Sequence, residues 1–360
     1  MAVEGVNFIF HTIARAGGME RAVTDMICGF ARKGLKVRGI AMRTDISVFP
    51  QELRDKIELV RVPARFPLCL FQRWANLDFE NRAGAFCQKG WPVFSASRVT
   101  SPVDVAISGG SHWAHLQKKG RRPSFVDKKV IAHEREFYAR AGVCVAHSQL
   151  TREEILELGV PAQKVVCLFP PVDVRKFNLG ARENRERERA AWGVPADKCV
   201  LLFPSNNHSI KGADLILGAL DAIDDPALLL AVASRRPIEH PRVLNLGFRT
   251  DVENCYAAAD ATILASRYEA FGLVAVESIL CGTPALLSEY CGAKDALRAP
   301  GCFVFPRTPE GVKAAILSAR ERWRAGTLAV AEPQASIAYP YSLDRHIDAL
   351  LELALNPPRN

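Results

Sequence analysis

The chain has 360 residues, 49% of them apolar, enough for two domains of ordinary size with a core in each. Its formal charge of +8 and pI near 9.0 favour anionic partners, which means nucleic acid, anionic lipid or phosphorylated substrates. There is no helix-turn-helix signature, no RNP aromatic pair and no zinc spacing, so nucleic acid drops out. No window approaches the roughly 18 to 20 consecutive apolar residues of a spanning helix. The N-terminus lacks a basic n-region and its apolar run is too short for a signal peptide, so a cytoplasmic protein is expected. Ten cysteines are scattered with no C-x-x-C pair, mostly in apolar runs, and read as reduced core thiols.

In chain order, Val6 to Phe10 reads as a first strand, followed by the loop His11 to Gly18 and a helix from about Met19 to Lys33 capped by Gly34. Strands follow at Lys36 to Met42, Ile57 to Val62 and Val103 to Ser108, and Val143 to His147 is the last clear strand of this half. Thr151-Arg-Glu-Glu154 reads as a capping box. A second unit begins with the strand Cys199 to Pro204. It continues with a helix from Lys211 to Ile223 and the strands Ala227 to Ala233, Val243 to Phe248 and Ala261 to Ser266. Leu343 to Leu355 reads as a final amphipathic helix. Strands alternating with helices predict parallel sheets covered on both faces, in two doubly wound domains facing across a cleft. The expected bounds are 1–172, a linker at 173–197, 198–340 and a last helix at 341–360. The mixed-charge run Ala181 to Arg189 reads as solvated surface.

The most informative stretch is Tyr268 to Gly292. Glu269 follows the apolar run Ala261 to Ser266, Phe271-Gly272 opens a helix, and Glu277 lies inside it. Gly282 closes the helix and Pro284 bars its continuation. A helix N-terminus offers N–H groups and a positive dipole end to a phosphate. A carboxylate beside it can hold a sugar's hydroxyls, and one further along can hold a ribose.

Glu-(seven residues)-Glu in this setting, with Gly282-Thr283-Pro284 and Gly292, resembles the donor motif of retaining glycosyltransferases of the GT-B fold, glycosyltransferase family 4. The resemblance covers nearly the whole chain and is specific from Lys211 to Gly292. It implies that Glu277 binds the ribose and Glu269 the transferred sugar. Backbone N–H groups at Phe271, Gly272 and Leu273 would hold the phosphates. It also implies that the last helix crosses back to the N-terminal domain.

Other residues enter through the same resemblance. Gly17-Gly18, after the first strand, looks like the family's loop under the donor phosphate. Lys211-Gly212 matches the family's diphosphate-binding lysine, but Asn206 stands where an arginine is usual and Ile210 immediately precedes the lysine. Lys211, the helix start at Gly272 and Arg267 would then share the diphosphate charge. His112, after the Val103 to Ser108 strand, is the choice for a contact near the transferred sugar, with His133 as its rival. Arg249 sits ahead of the helix that packs under the nucleotide. There is no Asp-x-Asp, so no metal or other cofactor is expected.

The chain most resembles enzymes that build lipopolysaccharide core sugars, with UDP-glucose as donor by analogy. The aromatic stretch Phe66 to Trp91 and the basic clusters at Lys118 to Arg122 and Lys128-Lys129 suggest an anionic glycolipid or saccharide acceptor and peripheral contact with an anionic membrane. The rival readings are a nucleotide-sugar 2-epimerase of the same fold and a non-catalytic relative that binds nucleotide sugars.

Overall fold

The computed structural model describes residues 3–14, 18–118 and 120–358. The chain forms two compact units, Met1–Pro171 with Pro340–Asn360, and Val172–Tyr339.

The first unit is built on strands β1 (Gly5–Ile9), β2 (Thr12–Ile13), β3 (Lys36–Ala41), β4 (Arg43–Thr44), β5 (Ile57–Arg61), β6 (Val93–Ser95), β7 (Val105–Ser108), β8 (Val143–Ala146) and β9 (Val165–Cys167). Seven of them form one sheet in the order β5-β3-β1-β6-β7-β8-β9, and β2 pairs with β4 alongside. The ladders are parallel, and the central strands β1, β7 and β8 are buried along their length. Four strands of this unit escape the periodicity reading, the two-residue β2 and β4 and two members of the main sheet. β6 has three residues and β9 has three, too short to show a pattern, so Val143 to Ala146 is not the last strand of its half. Pairing on both sides places β6 between β1 and β7.

The helices here are α1 (Gly18–Arg32), α2 (Gln72–Arg82), α3 (His112–Lys118), α4 (Phe125–Arg140) and α5 (Gln149–Glu157). The capping box lies three residues earlier than expected. Ser148 is the N-cap of α5, its hydroxyl accepts from the Thr151 N–H, and the Thr151 side chain holds the Ser148 N–H in return. Thr151 is therefore inside the helix, and Glu154 instead accepts the backbone N–H of Ser111 at 2.9 Å.

The second unit opens with α6 (Arg185–Ala191). Its sheet has β10 (Cys199–Pro204), β11 (Leu228–Ala233), β12 (Val243–Gly247), β13 (Ala261–Leu264), β14 (Ala285–Ser288) and β15 (Cys302–Phe305), in the order β12-β11-β10-β13-β14-β15. Helices α7 (His208–Lys211), α8 (Ala213–Ile223), α9 (Val252–Ala258), α10 (Leu273–Leu280) and α11 (Pro309–Arg324) cover it. The single helix expected from Lys211 is broken at Gly212, which takes a left-handed φ of 76°. Residues 173–197 are folded into this unit rather than strung out as a linker. The run Ala181 to Arg189 is not simply solvated either: Glu188 and Arg189 are buried. Arg185 and Arg189 grip Asp260 at 2.6 and 3.2 Å, and Arg185 also donates to the last carbonyls of α9.

The last helix, α12 (Leu343–Leu355), packs on α1 within the first unit, as the resemblance implied. A Cβ on Gly29 would come within 2.6 Å of the Ile347 side chain, so glycine is what lets the two helices approach. Ile347 and Leu350 are fully buried there, each stabilising the docking by about 1.5 to 3 kcal/mol. Seven of the ten cysteines are buried, and burial pushes the thiols of Cys144, Cys255, Cys281 and Cys302 up to about 12.

Candidate functional site

In the second sheet the strand order reverses between β10 and β13, which are hydrogen-bonded neighbours. Ligands of open α/β sheets bind beyond the carboxyl ends of the strands at such a switch point. The loops leaving β10 and β13 carry Asn206, Lys211, Arg267 and Glu269. They are stitched together, since the Arg267 N–H donates to the Ile210 carbonyl at 2.8 Å. A Cβ on Gly212 would run into the Ala265 carbonyl oxygen, so the close approach of the loops requires glycine there.

Lys211 ends α7. Its Nζ donates to the Pro204 carbonyl at 3.1 Å and stands 3.8 Å from Oε2 of Glu269. Glu269 is held at the main chain by an N–H donated to Tyr290 at 3.1 Å and by the Gly292 N–H received at 3.0 Å. The Ala293 N–H and the Cys291 thiol bond the Phe271 carbonyl, so the Tyr290 to Ala293 segment buttresses the motif. Gly272 is the N-cap of α10 with φ 98°. A Cβ there would sit 2.7 Å from Cys291 Sγ and 3.1 Å from Glu269 Cγ. Glycine has no side chain to accept from the first-turn N–H groups, so α10 brings no capping oxygen of its own to them. Glu277, further along α10, is buried, and its Oε2 accepts the hydroxyl of the fully buried Tyr256 at 2.9 Å. This edge thus gathers an ammonium, a helix N-terminus and two carboxylates. The first two suit phosphate oxygens, and the carboxylates suit hydroxyls.

Asn206 is exposed in the β10 loop, and its neighbour Asn207 caps α7. Arg249 forms a fork with Asp251 at 2.6 and 2.8 Å and bonds Glu188 at 2.9 Å, tying the start of α9 to α6.

In the first unit Gly18 opens α1, and Gly17 lies outside the described residues. His112 opens α3. Its Nε2 is 2.9 Å from Asp127 Oδ1, and its backbone N–H donates to both Glu134 oxygens at 3.0 and 3.2 Å. Asp127 is held well below the usual carboxylate range by the Ser124 hydroxyl and N–H and by His112. It accepts without donating, so Nε2 of His112 carries the proton of that bond. His133 sits on a different carboxylate, Glu80, which it shares with His11 at 3.1 and 3.0 Å. Burial pushes Glu80 up, but the bonds from His11 and His133, with the charges of His11 and Arg98, outweigh it and bring the group down to about 2. Arg98 in turn reaches Glu134 at 3.0 Å. Sequence reasoning passed over His11, Glu80, Arg98 and Glu134. Position was the available signal, because His11 follows β1 and Arg98 follows β6 at the carboxyl edge. β6 was too short to be seen.

Residues 16–176 match the family described as Glycosyltransferase Family 4, and residues 184–324 match Glycosyl transferases group 1. A probable transglycosylase of Burkholderia thailandensis is 39% identical over 347 residues, 94% of this chain and 93% of that protein. A D-inositol 3-phosphate glycosyltransferase of Catenulispora acidiphila is 32% identical, covering 79% of this chain and 77% of its own length. Among solved structures, WaaG, a glycosyltransferase involved in lipopolysaccharide biosynthesis, superimposes with a TM-score of 0.78 over 98% of this chain and 100% of its own, at 18% identity. Anabaena HepE in complex with UDP and glucose gives 0.75 over 99% and 100%, at 16% identity. The two parallel-sheet, Rossmann-like units are those of a GT-B glycosyltransferase. The chain belongs to glycosyltransferase family 4.

Proposed function

We propose that the protein is a retaining, metal-independent hexosyltransferase that takes glucose from UDP-glucose and passes it to a glycolipid or lipopolysaccharide-core saccharide. The observation that carries the reading is the meeting of Lys211 and Glu269, 3.8 Å apart, beside the uncapped start of α10 at the switch point of the second sheet. In this reading Glu277 accepts the ribose hydroxyls and Glu269 those of the transferred hexose. The N–H groups of Phe271, Gly272 and Leu273 and the Lys211 ammonium stabilise charge on the departing diphosphate. Asn206, Gly17, Gly18 and Arg249 complete the donor surround, and His112 contacts the transferred sugar. The departing phosphate takes the acceptor's proton on the face that the acceptor attacks. UDP and glucose as donor components are supported by HepE, and a lipopolysaccharide acceptor by WaaG. The inositol phosphate relatives favour an acceptor that carries an anion.

No helix among the described residues is long and apolar enough to cross a membrane. Access to a lipid-linked acceptor falls instead to the first unit. Phe66, Leu70, Phe71, Trp74 and Phe125 are exposed there among Arg65, Arg73, Arg121, Arg122, Lys128 and Lys129.

The test is transfer from UDP-glucose to a truncated lipopolysaccharide acceptor in EDTA, with the product's anomeric configuration read by NMR. An α product without added metal supports the reading. A β product, or activity that returns only with magnesium or manganese, overturns the retaining or the metal-independent part.

A further inference from the structure

The first unit contains a recess of about 230 Å³ lined by its own residues. It lies at the carboxyl ends of three neighbouring strands: Phe10 and His11 follow β1, Ala96 and Arg98 follow β6, and Gly109 and Gly110 follow β7. Ligand sites for drug-sized molecules span roughly 300 to 1,000 Å³. The recess is therefore small for a nucleotide sugar and of a size for one sugar ring.

Its walls have two characters. Phe10, Met19 and Phe137 are apolar, while Arg98, Glu134 and His11 are polar. A pyranose has the matching faces, C–H on one side and hydroxyls around the rim. The polar wall is prebuilt. Glu134, whose side chain is 1% exposed, is fixed by the His112 N–H and bonds Arg98 at 3.0 Å. Glu80 stands 3.9 Å from the other side of the guanidinium and is anchored by both His11 and His133. Arg98 keeps 32% of its side chain accessible and lines the recess, although the carboxylates beneath it are buried.

The charge balance selects the guest. Among the lining residues Arg98 is the permanent cation, and two carboxylates already flank it, with His11 and His133 bonded to Glu80. A phosphate or carboxylate brought to Arg98 would meet Glu134 and Glu80 at close range in a partly buried site, where like charges repel strongly. A neutral polyol meets no such cost. Its hydroxyls can accept from Arg98, while the buried Glu134 acts on the guest through its charge.

We infer that this recess is a subsite for one uncharged sugar ring of the acceptor, with Arg98 and Glu134 as the specificity-determining pair that rejects phosphorylated or carboxylated rings. The word acceptor rests on the glycosyltransferase reading; the binding does not. An anionic group elsewhere on the acceptor would be met by the basic residues around Phe125.

The experiment is saturation-transfer NMR on the full chain without donor. The probes are the methyl glycosides of glucose, galactose and mannose, glucose 6-phosphate and methyl glucuronide. At least one neutral glycoside should bind, and the charged sugars should bind about tenfold more weakly or worse, the scale of 1.4 kcal/mol. Arg98→Gln should remove the neutral signal, because a site built to hydrogen-bond hydroxyls loses its donor fork. Glu134→Gln keeps the side chain's shape and should bring the two classes within about threefold of each other by removing the repulsion. UDP binding, measured in parallel, should be unchanged in both variants. Where Glu134→Gln does not fold, Arg98→Lys decides: it keeps the charge without the fork and should weaken the neutral sugar about tenfold. The inference is overturned by absent neutral binding at tens of millimolar, by charged sugars binding as tightly, or by Arg98→Gln binding like wild type. Sugar binding without any transfer would instead overturn the proposed function and leave the subsite standing.

Discussion

Nζ of Lys211 lies 3.8 Å from Oε2 of Glu269, joining the loop after β10 to the loop after β13. With the Pro204 carbonyl, Glu269 holds the ammonium at the sheet edge before any ligand arrives. In the proposed reaction Lys211 acts on charge that develops on the departing nucleotide. Lys211→Met should therefore lower kcat by about a hundredfold, as removal of other preorganised charge-stabilising groups does. Steady-state kinetics checks this. An unchanged kcat with a raised KM would assign the lysine to ground-state binding.

Glu277 and Tyr256 form a second testable pair, bonded at 2.9 Å in a buried setting. Glu277→Ala should weaken UDP binding by about 1 to 3 kcal/mol, the scale of losing hydrogen bonds to a charged group. It also removes the bond that the Tyr256 hydroxyl donates, so the Ala variant should melt lower than Glu277→Gln. Tyr256→Phe should cost only about 0.5 to 1.5 kcal/mol of stability. Calorimetry and thermal melts separate the two effects, and wild-type UDP affinity in Glu277→Ala would sink the ribose assignment.

Gly272 combines a φ of 98° with a Cβ position 2.7 Å from Cys291 Sγ. Gly272→Ala should cost about 1 to 3 kcal/mol from backbone strain, with the clash adding to it. It should also displace the first turn of α10 and so weaken UDP. A variant with an unaltered melting temperature would show that the turn relaxes without loss.

The buried histidines set an acid limit on stability. Burial lowers His147 to about 4, and burial together with the neighbouring His147 lowers His346, on α12, to about 3. Both lie below the ordinary 6.5, so the fold prefers the neutral rings and the unfolded chain takes up more protons on acidification. Their contribution is whole above about pH 6.5 and is lost progressively as pH falls toward the folded values. Glu80, Asp78 and Asp127 are shifted downward and act below their ordinary 4.5 and 3.8. Glu134, raised above 4.5 by burial, works the other way in the interval from pH 6.5 to 4.5, so the comparison with His346→Leu is what isolates the histidine there. Melting temperature should fall across it in the wild type and fall less in His346→Leu. A flat wild-type profile would contradict the argument.

Contact with membranes can be read by vesicle sedimentation. Phe71 and Trp74 are 63% and 46% exposed, and Arg73 between them pairs with Asp127 at 3.7 Å, tying α2 to the start of α4 beside Phe125. Binding should appear with anionic vesicles, vanish with neutral ones and weaken at high salt, since each basic residue contributes about 1 kcal/mol and salt screens it. The double variant Phe71→Ser, Trp74→Ser should bind anionic vesicles less well at equal charge. Retention of the wild type in the supernatant with anionic vesicles at low salt would remove the membrane from the reading.

The sequence by itself determined the parallel two-unit architecture, the strand Cys199 to Pro204, the strand from Ala261 (read to Ser266, ending at Leu264), the helix Leu343 to Leu355 and the Glu269 to Glu277 motif. These are local signals: apolar runs of strand length, helical periodicity, and glycines at φ values that other residues avoid. Tertiary structure alone decided the rest. β6 and β9 are too short for periodicity and exist because neighbouring strands complete their hydrogen bonds. Arg185 and Arg189 read as solvated until Asp260, more than seventy residues on, meets them. His112 and His133 look alike in sequence, and only the fold assigns one to Asp127 and the other to Glu80. Arg98, Glu134 and Glu80 lie on three separate segments, and only folding brings these charges together around one recess. Pairing between distant side chains leaves no periodic trace in the chain, because its energy depends on separation in space and not on spacing in sequence.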